Sequence, residues 1–276
     1  MRQNTLEFFG VGKPLRVDAV PIGASSSIEC KNGTRSQSNH DAATPLHVDT
    51  ASVPGMQLLS HFITKDEHSA LVNFVDKQTW STQLSRRVQQ YGFAYDYTHP
   101  LQRPAPTVAI PTEFAFLVRR LVERGLFDRT PDQVIVNEYN PGQGIAPHVD
   151  QTKHFGGTVA SLSMISPCVM VMRPVPEAIA ASFSAKDKGK TESKASEGTQ
   201  NSTGTSSATS FVPLLLEPRS LLVLSGDSRY KWTHGIERRK TDTLPTNGAK
   251  AIKRGRRISL TFRTMCGDAC RSPLAP

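Results

Sequence analysis

The sequence predicts an α+β protein that is mainly β, in which two helices precede a sandwich or barrel of short strands. Two observations carry this prediction. Helical patterns come first along the chain, whereas short β-rich runs separated by Gly, Pro and Asp come later. Strands and helices do not alternate, as they would in a parallel sheet. With 276 residues, 37% of them apolar, the chain can form one large domain or two small ones.

Residues 1–52 predict a disordered tail, because Ser, Asn, Gly, Thr and scattered charges show neither helical nor strand periodicity. The start of this tail is different, since Leu6, Phe8 and Phe9 follow Gln3. This pattern is similar to a degenerate sliding-clamp docking motif, although its spacing is one residue short. A sliding clamp is therefore one candidate partner, and an apolar anchor on the domain itself is the alternative.

The folded domain is predicted over residues 53–266 and begins with two helices. The segment from Thr64 to Glu67 has the pattern of a capping box, which predicts a helix that continues to Val75. A second helix is predicted at about 111–125, because it starts with proline and ends at glycine. The chain then turns to strands.

Six short runs predict the strands of the β region: VIVNEY (134–139), TVASLSMIS (158–166), CVMVM (168–172), PLLL (213–216), SLLVLS (220–225) and RISLTFR (257–263). Residues 177–210 are rich in Lys, Ser, Thr and Gly, which predicts a flexible insertion within a β-hairpin. The last residues, 267–276, are predicted to be disordered.

Composition narrows the classes of function. No run approaches the roughly 20 apolar residues of a membrane span, so we expect a soluble protein with no membrane partner. We also expect a monomer. Four cysteines without a CxxC pair argue against a disulfide scaffold and a structural zinc site. A net charge of +9 favours an acidic partner such as nucleic acid. The nucleus or cytoplasm is the expected compartment, with the mitochondrion left open.

A candidate metal site combines two histidines and one carboxylate. His148 and Asp150 stand two apart in an extended segment, so both side chains can reach one ion. This pattern alone is weak, because residues 47–49 spell the same tripeptide in the tail. His234, after an apolar strand, completes the facial triad of non-haem iron oxygenases, which leaves positions open for a 2-oxo acid and dioxygen.

Polar residues on two strands predict a site for an organic acid. Along RISLTFR, polar residues alternate with apolar ones, so Arg257 and Arg263 share one face and could clamp a small dicarboxylate. A solvated edge strand is the alternative interpretation. Asn137 and Tyr139 likewise share a face and offer polar anchors.

Taken together, these motifs resemble the AlkB family of Fe(II)- and 2-oxoglutarate-dependent dioxygenases over most of residues 55–265. The matching segments are RRVQQYGFAYDY (86–97), NEYNPGQGIAPHVD (137–150), ASLSM (160–164), PRSLLVLSGDSRYKWTHGI (218–236) and RGRRISLTFR (254–263). They occur in the order found in the family. The resemblance implies a double-stranded β-helix, also called a jelly roll, with helices packed on one side.

The resemblance also implies a set of cofactors, Fe(II), 2-oxoglutarate and O2, and the residues that hold them. The catalytic iron ligands would be His148, Asp150 and His234. The residues that bind 2-oxoglutarate would be Asn137, Tyr139, Arg257 and Arg263. Of the two arginines, Arg257 would take the distal carboxylate and Arg263 the end nearest the metal.

Substrate recognition is predicted upstream, where the family carries its substrate lid. The candidate residues are Arg86, Arg87, Gln89, Tyr91, Tyr95 and Tyr97, a basic and aromatic cluster that could track phosphates and stack bases. Core packing is the alternative for Tyr91 and Tyr95. A second basic group, a phosphate rim or a solvated loop, comprises Lys250, Lys253, Arg254 and Arg256. Arg229, Tyr230 and Trp232 are predicted to precede His234 on its strand, with Trp232 positioning that histidine.

The predicted activity is oxidative demethylation of alkylated bases in nucleic acid, in DNA repair or in RNA or tRNA modification, with release of succinate, CO2 and formaldehyde. Two alternatives remain open at this point. The first is an AlkB-like oxygenase that acts on a protein or lipid side chain. The second is a catalytically silent barrel that serves as a binding module.

Overall fold

A computed structural model describes residues 52–176, 211–244 and 251–267, all of which belong to one compact unit. The predicted tail up to residue 51, the insertion at 177–210 and residues 268–276 lie outside the described residues, as does the clamp-like motif at residues 3–9. In the described part of the chain, no helix is both long and apolar enough to cross a bilayer.

The two predicted helices are present. Helix α1 spans Lys65–Asp76, and Thr64 and Glu67 form the expected reciprocal cap, in which each side chain accepts from the other residue's backbone N–H. The second helical segment begins as a 3-10 turn at Thr112–Phe114 and continues as α2, Ala115–Glu123. Gly125 follows with φ +65°, a left-handed conformation that favours glycine after a helix end.

Fourteen strands form four antiparallel sheets in the described residues. Their bounds are β1 Met56–Leu59, β2 Arg87–Tyr91, β3 Phe93–Ala94, β4 Ala105–Pro106, β5 Gln133–Tyr139, β6 Ile145–His148, β7 Phe155–Met164, β8 Cys168–Pro174, β9 Val212–Leu216, β10 Leu221–Leu224, β11 Trp232–Ile236, β12 Thr241–Thr243, β13 Ala251–Lys253 and β14 Arg257–Met265. The major sheet has the order β1-β10-β7-β14-β5-β2, and the minor sheet has the order β6-β11-β8-β9. Hairpins β3-β4 and β12-β13 are the other two sheets.

Two apolar clusters explain how these layers are stacked. One joins the helices to the outer face of the major sheet, where Phe114 and Leu117 pack with Leu260 and Phe262. The other lies between the two sheets and includes Met172, Leu214 and Leu222. Each such fully buried side chain contributes about 1.5–3 kcal/mol. The arrangement confirms the predicted α+β, mainly β class and its jelly-roll core.

Strand β14 lies at the centre of the major sheet, between β7 and β5, and all nine of its residues are buried. The predicted alternation is present, because Ile258, Leu260 and Phe262 belong to the helix-side cluster. Its polar residues point to the opposite face, between the sheets. The alternative interpretation of this segment as a solvated edge strand is therefore wrong.

The segments that flank residues 177–210 are neighbours in the minor sheet. Strands β8 and β9 pair antiparallel from Cys168 opposite Leu216 to Met172 opposite Val212, which is the pairing that a hairpin requires. The structure corrects one local prediction. Arg229 and Tyr230 do not continue a strand into His234, because Ser225 caps a short helix, α3, over Gly226–Tyr230.

Candidate functional site

A cavity of about 360 Å³ lies between the major and minor sheets. Its walls come from both sheets and from a segment between β3 and β4 that includes Tyr95 and Tyr97. Seven residues predicted for iron or 2-oxoglutarate binding line it together: Asn137, Tyr139, His148, Asp150, His234, Arg257 and Arg263. A smaller recess of about 290 Å³ adjoins it, lined by Tyr95, Asp150, Thr152 and Thr233 among others.

The two histidines face each other across a strand pair. His148 ends β6 and lies opposite His234 on β11, with the imidazole centroids 4.4 Å apart. Gly235 permits this close approach, since a Cβ there would lie 2.9 Å from the Pro147 backbone. Asp150 follows two residues after His148, and its Oδ2 lies 3.4 Å from His234 Nε2.

One ligand atom from each of His148, Asp150 and His234 lies within 4.8 Å of the other two. Two imidazoles and one carboxylate on one side of an ion leave the other coordination positions open, as in non-haem iron oxygenases. His148 Nδ1 lies 2.9 Å from the Ala146 carbonyl oxygen. A proton on Nδ1 donates to that oxygen, which leaves Nε2 as the ligand atom.

The electrostatics of the site favour metal binding. Burial, together with the adjacent His148, lowers the pKa of His234 to about 3, so its imidazole is neutral at pH 7. Burial by itself raises the pKa of the Asp150 carboxyl, but the surrounding positive groups, with Arg263 the strongest of them, together outweigh this effect and hold that pKa well below its usual range. A neutral imidazole and an ionised carboxylate are the forms that coordinate metals.

Arg263 is engaged by the carboxylate of Asp150. Its Nε and Nη2 donate to Asp150 Oδ1 at 2.7 and 2.6 Å, and its Nη1 donates to Gln133 Oε1 at 3.2 Å. The sequence-based role of Arg263 was to hold the end of 2-oxoglutarate nearest the metal. In the structure its principal contact is the candidate metal ligand itself, whose orientation it fixes.

Arg257 has a buried donor that no described group satisfies. Only 3% of the residue is exposed, and its Nη2 donates to Ser163 Oγ at 2.9 Å. Among the described residues, its Nε finds no hydrogen-bond partner. An unpaired buried N–H costs about 1–3 kcal/mol, and a carboxylate in the cavity would satisfy it. The residues present therefore fit 2-oxoglutarate at this end of the cavity.

Tyr139 and Asn137 complete this end of the cavity. The Tyr139 ring centroid lies 5.4 Å from the Arg257 guanidinium, and burial raises the pKa of the phenol, which keeps it a proton donor. Asn137 Oδ1 accepts from Arg86 Nε at 3.0 Å, so Arg86 is joined to the same wall.

Three of the six predicted substrate residues line the cavity. The Tyr95 and Tyr97 rings meet edge to face at 5.1 Å, and the Arg86 guanidinium lies 5.4 Å from the Tyr97 ring centroid. Arg87, Gln89 and Tyr91 lie on the other face of β2. Successive side chains on a strand point to opposite faces. Arg87 pairs with Glu138 of the neighbouring β5, so these three residues share the face of Glu138, whereas Asn137 points to the other face.

Those three residues have structural partners outside the cavity, which corrects their predicted role in substrate recognition. Arg87 pairs with Glu138, Gln89 donates to the Val75 carbonyl, and Tyr91 packs edge to face on Phe114. For Tyr91 the core alternative is therefore the right one. Tyr95, for which the same alternative was open, lines the cavity instead.

The predicted basic rim also needs correction. Arg254 is 6% exposed and bonds both carboxylate oxygens of Asp242, while Arg256 pairs with Glu138 and Asp76. These two arginines hold the domain together and do not form a free phosphate surface. Lys253 is exposed, and Lys250 lies outside the described residues. Trp232 packs against the cluster between the sheets, two residues before His234.

Arg229 is the functional candidate that sequence reasoning missed. It is 2% exposed, and its guanidinium donates to the backbone carbonyls of Asp150, Phe155 and Gly156. Such a role leaves little trace in a sequence, because every residue has a carbonyl and no complementary side chain marks the partner. The only signal was a charged residue five positions before His234, and it did not stand out because Asp227 and Lys231 nearby are charged too.

Comparison with known proteins identifies the class. A family model described as the 2OG-Fe(II) oxygenase superfamily matches residues 58–263. The chain is similar to the Arabidopsis thaliana protein named Alkylated DNA repair protein ALKBH8 homolog, with 32% identity over 79% of this chain and 60% of that one. Human alkB homolog 4, an alpha-ketoglutarate-dependent dioxygenase by name, is 28% identical over 78% of this chain and 68% of its own.

A longer relative is the Xenopus tropicalis tRNA (carboxymethyluridine(34)-5-O)-methyltransferase alkbh8, 29% identical over 79% of this chain. The match covers 32% of that protein, so this chain corresponds to about a third of it. Among solved structures, OsALKBH1 superposes with a TM-score of 0.50 and 22% identity, covering 76% of this chain and 98% of that one, which supports the fold.

The chain belongs to the 2OG-Fe(II) oxygenase superfamily and, within it, to the AlkB family. It is a non-haem iron dioxygenase whose cofactors are Fe(II), the co-substrate 2-oxoglutarate and O2.

Proposed function

We propose that this dioxygenase removes methyl groups from alkylated bases in nucleic acid, DNA or RNA, and releases succinate, CO2 and formaldehyde. The observation that carries the proposal is the wall of Arg86, Tyr95 and Tyr97, which lines the same cavity as the metal triad. A base outside its stack is held by aromatic faces and by guanidinium planes. The net charge of +9 favours a polyanionic partner.

The names of two relatives support this substrate class. One acts on tRNA and the other belongs to alkylated DNA repair by name, so nucleic acid is the substrate shared by both descriptions. They differ in the polymer, and the proposal therefore includes both DNA and RNA.

In the proposed mechanism, His148, Asp150 and His234 hold Fe(II), and Arg263 fixes the orientation of the Asp150 carboxylate. Arg257 receives the distal carboxylate of 2-oxoglutarate, with Tyr139 and Asn137 as further polar anchors. The bound iron supplies oxidation of the methyl C–H bond at the expense of O2 and 2-oxoglutarate. Tyr95, Tyr97 and Arg86 hold the base and exclude water.

The overall reaction divides the two oxygen atoms of O2 between the substrate and the co-substrate. One oxygen atom of O2 enters the methyl group as a hydroxyl, and the other enters succinate as 2-oxoglutarate loses CO2. The hydroxymethyl group on the base nitrogen then loses formaldehyde, and the nitrogen regains a proton. Formaldehyde and succinate are therefore formed in equal amounts when turnover is coupled.

The experiment is mass spectrometry of methylated single-stranded DNA, duplex DNA and tRNA after incubation with enzyme, Fe(II) and 2-oxoglutarate. We expect loss of methyl from at least one polymer, with equimolar formaldehyde, and no loss with the His148→Ala variant. Succinate formation without methyl loss from any polymer would contradict the nucleic-acid proposal and direct the search to protein or lipid side chains.

A pair of tyrosine variants tests the wall itself. Tyr97→Ala should raise KM for the polymer roughly 5-fold or more, because stacking contributes about 1–3 kcal/mol per base. Tyr91→Phe is the matched control, since Tyr91 lies in the same segment but packs on the helices outside the cavity. Equal KM values for Tyr97→Ala and the wild type would exclude base stacking on Tyr97.

A further inference from the structure

We propose that Arg229 is a positioning residue for the iron site, and that it fixes both ends of the loop from Asp150 to Gly156. We call this segment the 150–156 loop. Its first residue is a candidate iron ligand. Its middle contacts the segment between β3 and β4, which contributes Tyr95 and Tyr97 to the cavity wall. The inference rests on the proposed iron triad, and it adds a residue that lies outside that triad.

The hydrogen bonds of Arg229 reach the two ends of this loop. Its Nη1 donates to the Asp150 carbonyl at 2.9 Å, and its Nη2 and Nε donate to the carbonyls of Phe155 and Gly156 at 3.3 and 3.2 Å. One planar group thus holds the residues before and after the turn at a fixed separation.

The arginine is itself firmly held. Helix α3 is fixed to the segment before β1, because Ser228 N–H donates to the Pro54 carbonyl and Ser225 N–H donates to the Gly55 carbonyl. Because only 2% of Arg229 is exposed, water does not compete with its guanidinium for the three carbonyls. The fixed position of Arg229 therefore also fixes the position of the loop.

A second contact path leads from Arg229 to the Asp150 side chain. Arg229 holds the backbone of Phe155, and the Phe155 ring centroid lies 4.9 Å from the guanidinium of Arg263. Arg263 in turn bonds Asp150 Oδ1. The backbone and the carboxylate of the candidate ligand are thus both positioned from the same arginine.

The middle of the loop contacts the segment between β3 and β4, which also carries Tyr95 and Tyr97 of the cavity wall. Gln151 Nε2 donates to the Pro100 carbonyl at 3.4 Å, and His154 Nε2 lies 3.2 Å from the Leu101 carbonyl oxygen. The Phe155 ring also lies 5.9 Å from the ring of Tyr95. Displacement of the loop would therefore move the metal ligand and the substrate wall together.

Lysine cannot replace this arrangement. An ammonium group is a point donor on a flexible stem, whereas guanidinium presents five donors in one rigid plane. In Arg229→Lys the charge is kept, but at most part of the three-carbonyl contact can form. Groups that orient metal ligands typically contribute roughly 10-fold to 100-fold to metal affinity.

The test is calorimetric titration of the metal-free, full-length protein with Co(II) as the probe, alongside steady-state kinetics. Arg229→Lys should weaken Co(II) binding about tenfold or more and raise KM for the polymer. KM for 2-oxoglutarate should change little, because Arg257 and Tyr139 lie outside the 150–156 loop and Arg229 donates to neither of them. Unchanged Co(II) affinity in a folded Arg229→Lys protein would overturn the inference.

Two controls separate this effect from general destabilisation. Arg120→Lys changes a half-buried arginine that donates to the Phe62 carbonyl and to Glu67 on the helix side, and it should leave Co(II) affinity unchanged. Arg229→Ala titrated with millimolar guanidinium gives a second measurement. Recovery of Co(II) affinity supports positioning through the three carbonyls, and absence of recovery contradicts it.

His148→Ala distinguishes this inference from the proposed function. If the wild type binds Co(II) and His148→Ala does not, the triad stands, and Arg229→Lys is judged on its own result. If wild type and His148→Ala bind Co(II) equally, the proposed triad fails before Arg229 is considered.

Discussion

At the level of single residues, the two arginines of β14 differ in the hydrogen-bond partners of their guanidinium groups. Arg263 is bonded by Asp150 and Gln133 within the protein, whereas the Nε of Arg257 has no partner among the described residues. Their shared face was predictable from the period-two pattern of RISLTFR. Their different partners were not, because these partners lie on β5, on β7 and in the 150–156 loop, which the sequence does not place next to β14.

Arg257→Gln tests the assignment of the unpaired donor to 2-oxoglutarate. We expect KM for 2-oxoglutarate to rise roughly 10-fold to 150-fold, since hydrogen bonds to charged groups contribute about 1.5–3 kcal/mol. The measurement is succinate formation against 2-oxoglutarate concentration. Arg256→Gln is the control, because the neighbouring guanidinium pairs with Glu138 and Asp76 instead. Similar KM values for the two variants would refute the assignment.

At the level of secondary-structure elements, strand parity decides which predicted residues reach the cavity. Resemblance to the AlkB family identified segment 86–97, and six of its residues were predicted to bind substrate together. The structure separates Arg86, which lies just before β2 and lines the cavity, from Arg87, whose side chain on β2 points to the face of Glu138. Which face is buried against helices depends on long-range packing, and no local pattern in this short segment reveals it.

The helix-side face carries its own ion cluster, in which Glu138 of β5 joins Arg87 of β2 and Arg256 before β14. Hydrogen bonds from Arg87 lower the pKa of Glu138, and Arg256 adds to the effect although burial opposes it. A carboxyl with a depressed folded-state pKa stabilises the protein above its unfolded pKa of about 4.3. That contribution is lost as the pH falls through the folded-state value.

Glu138→Gln should therefore lower the free energy of unfolding by about 1–3 kcal/mol at pH 7 and reduce its further fall below about pH 4. The lower end is expected, because both arginines are partly exposed and screened by solvent. Urea unfolding from pH 7 to pH 3 measures the effect. Glu237→Gln, which changes a more exposed acid paired with Arg173 and Arg239, serves as the control. Parallel pH curves for wild type and Glu138→Gln would contradict this account.

At the level of the whole molecule, the jelly roll brings distant ligands together. His148 and His234 are far apart in the sequence, yet β6 and β11 pair them side by side. The triad was predictable because the two histidines and the aspartate lie within motifs that occur in the order found in the AlkB family. The predicted phosphate rim failed in part, because the sequence does not tell a free arginine from one paired with a buried acid such as Asp242.

Lys253 remains from the predicted basic rim, and Lys240, which the sequence analysis did not single out, is a further candidate phosphate contact. Lys253 ends β13 and Lys240 directly precedes β12; both are exposed, and within the described residues neither forms an ion pair. If nucleic acid is the substrate, Lys240→Gln with Lys253→Gln should reduce the slope of log affinity against log salt by up to about 0.9 per lost contact on duplex DNA. Fluorescence anisotropy over a salt series measures this slope.

The matched double variant is Lys65→Gln with Lys77→Gln, which removes the same charge at the two ends of α1. We expect its slope to stay close to that of the wild type. Equal slopes for both double variants would return Lys240 and Lys253 to a role in solubility alone.

The edge position of β6 has a consequence for local unfolding. Among the described strands, β6 pairs with β11 alone; this pairing is irregular between His234 and Ile236, and both Ala146 and Pro147 are exposed. Short edge strands with few buried contacts are among the first parts of a domain to fray. A metal ion held by His148 and His234 would join the edge strand to its neighbour, so loss of the metal would release amide protons here to hydrogen exchange before the rest of the barrel opens.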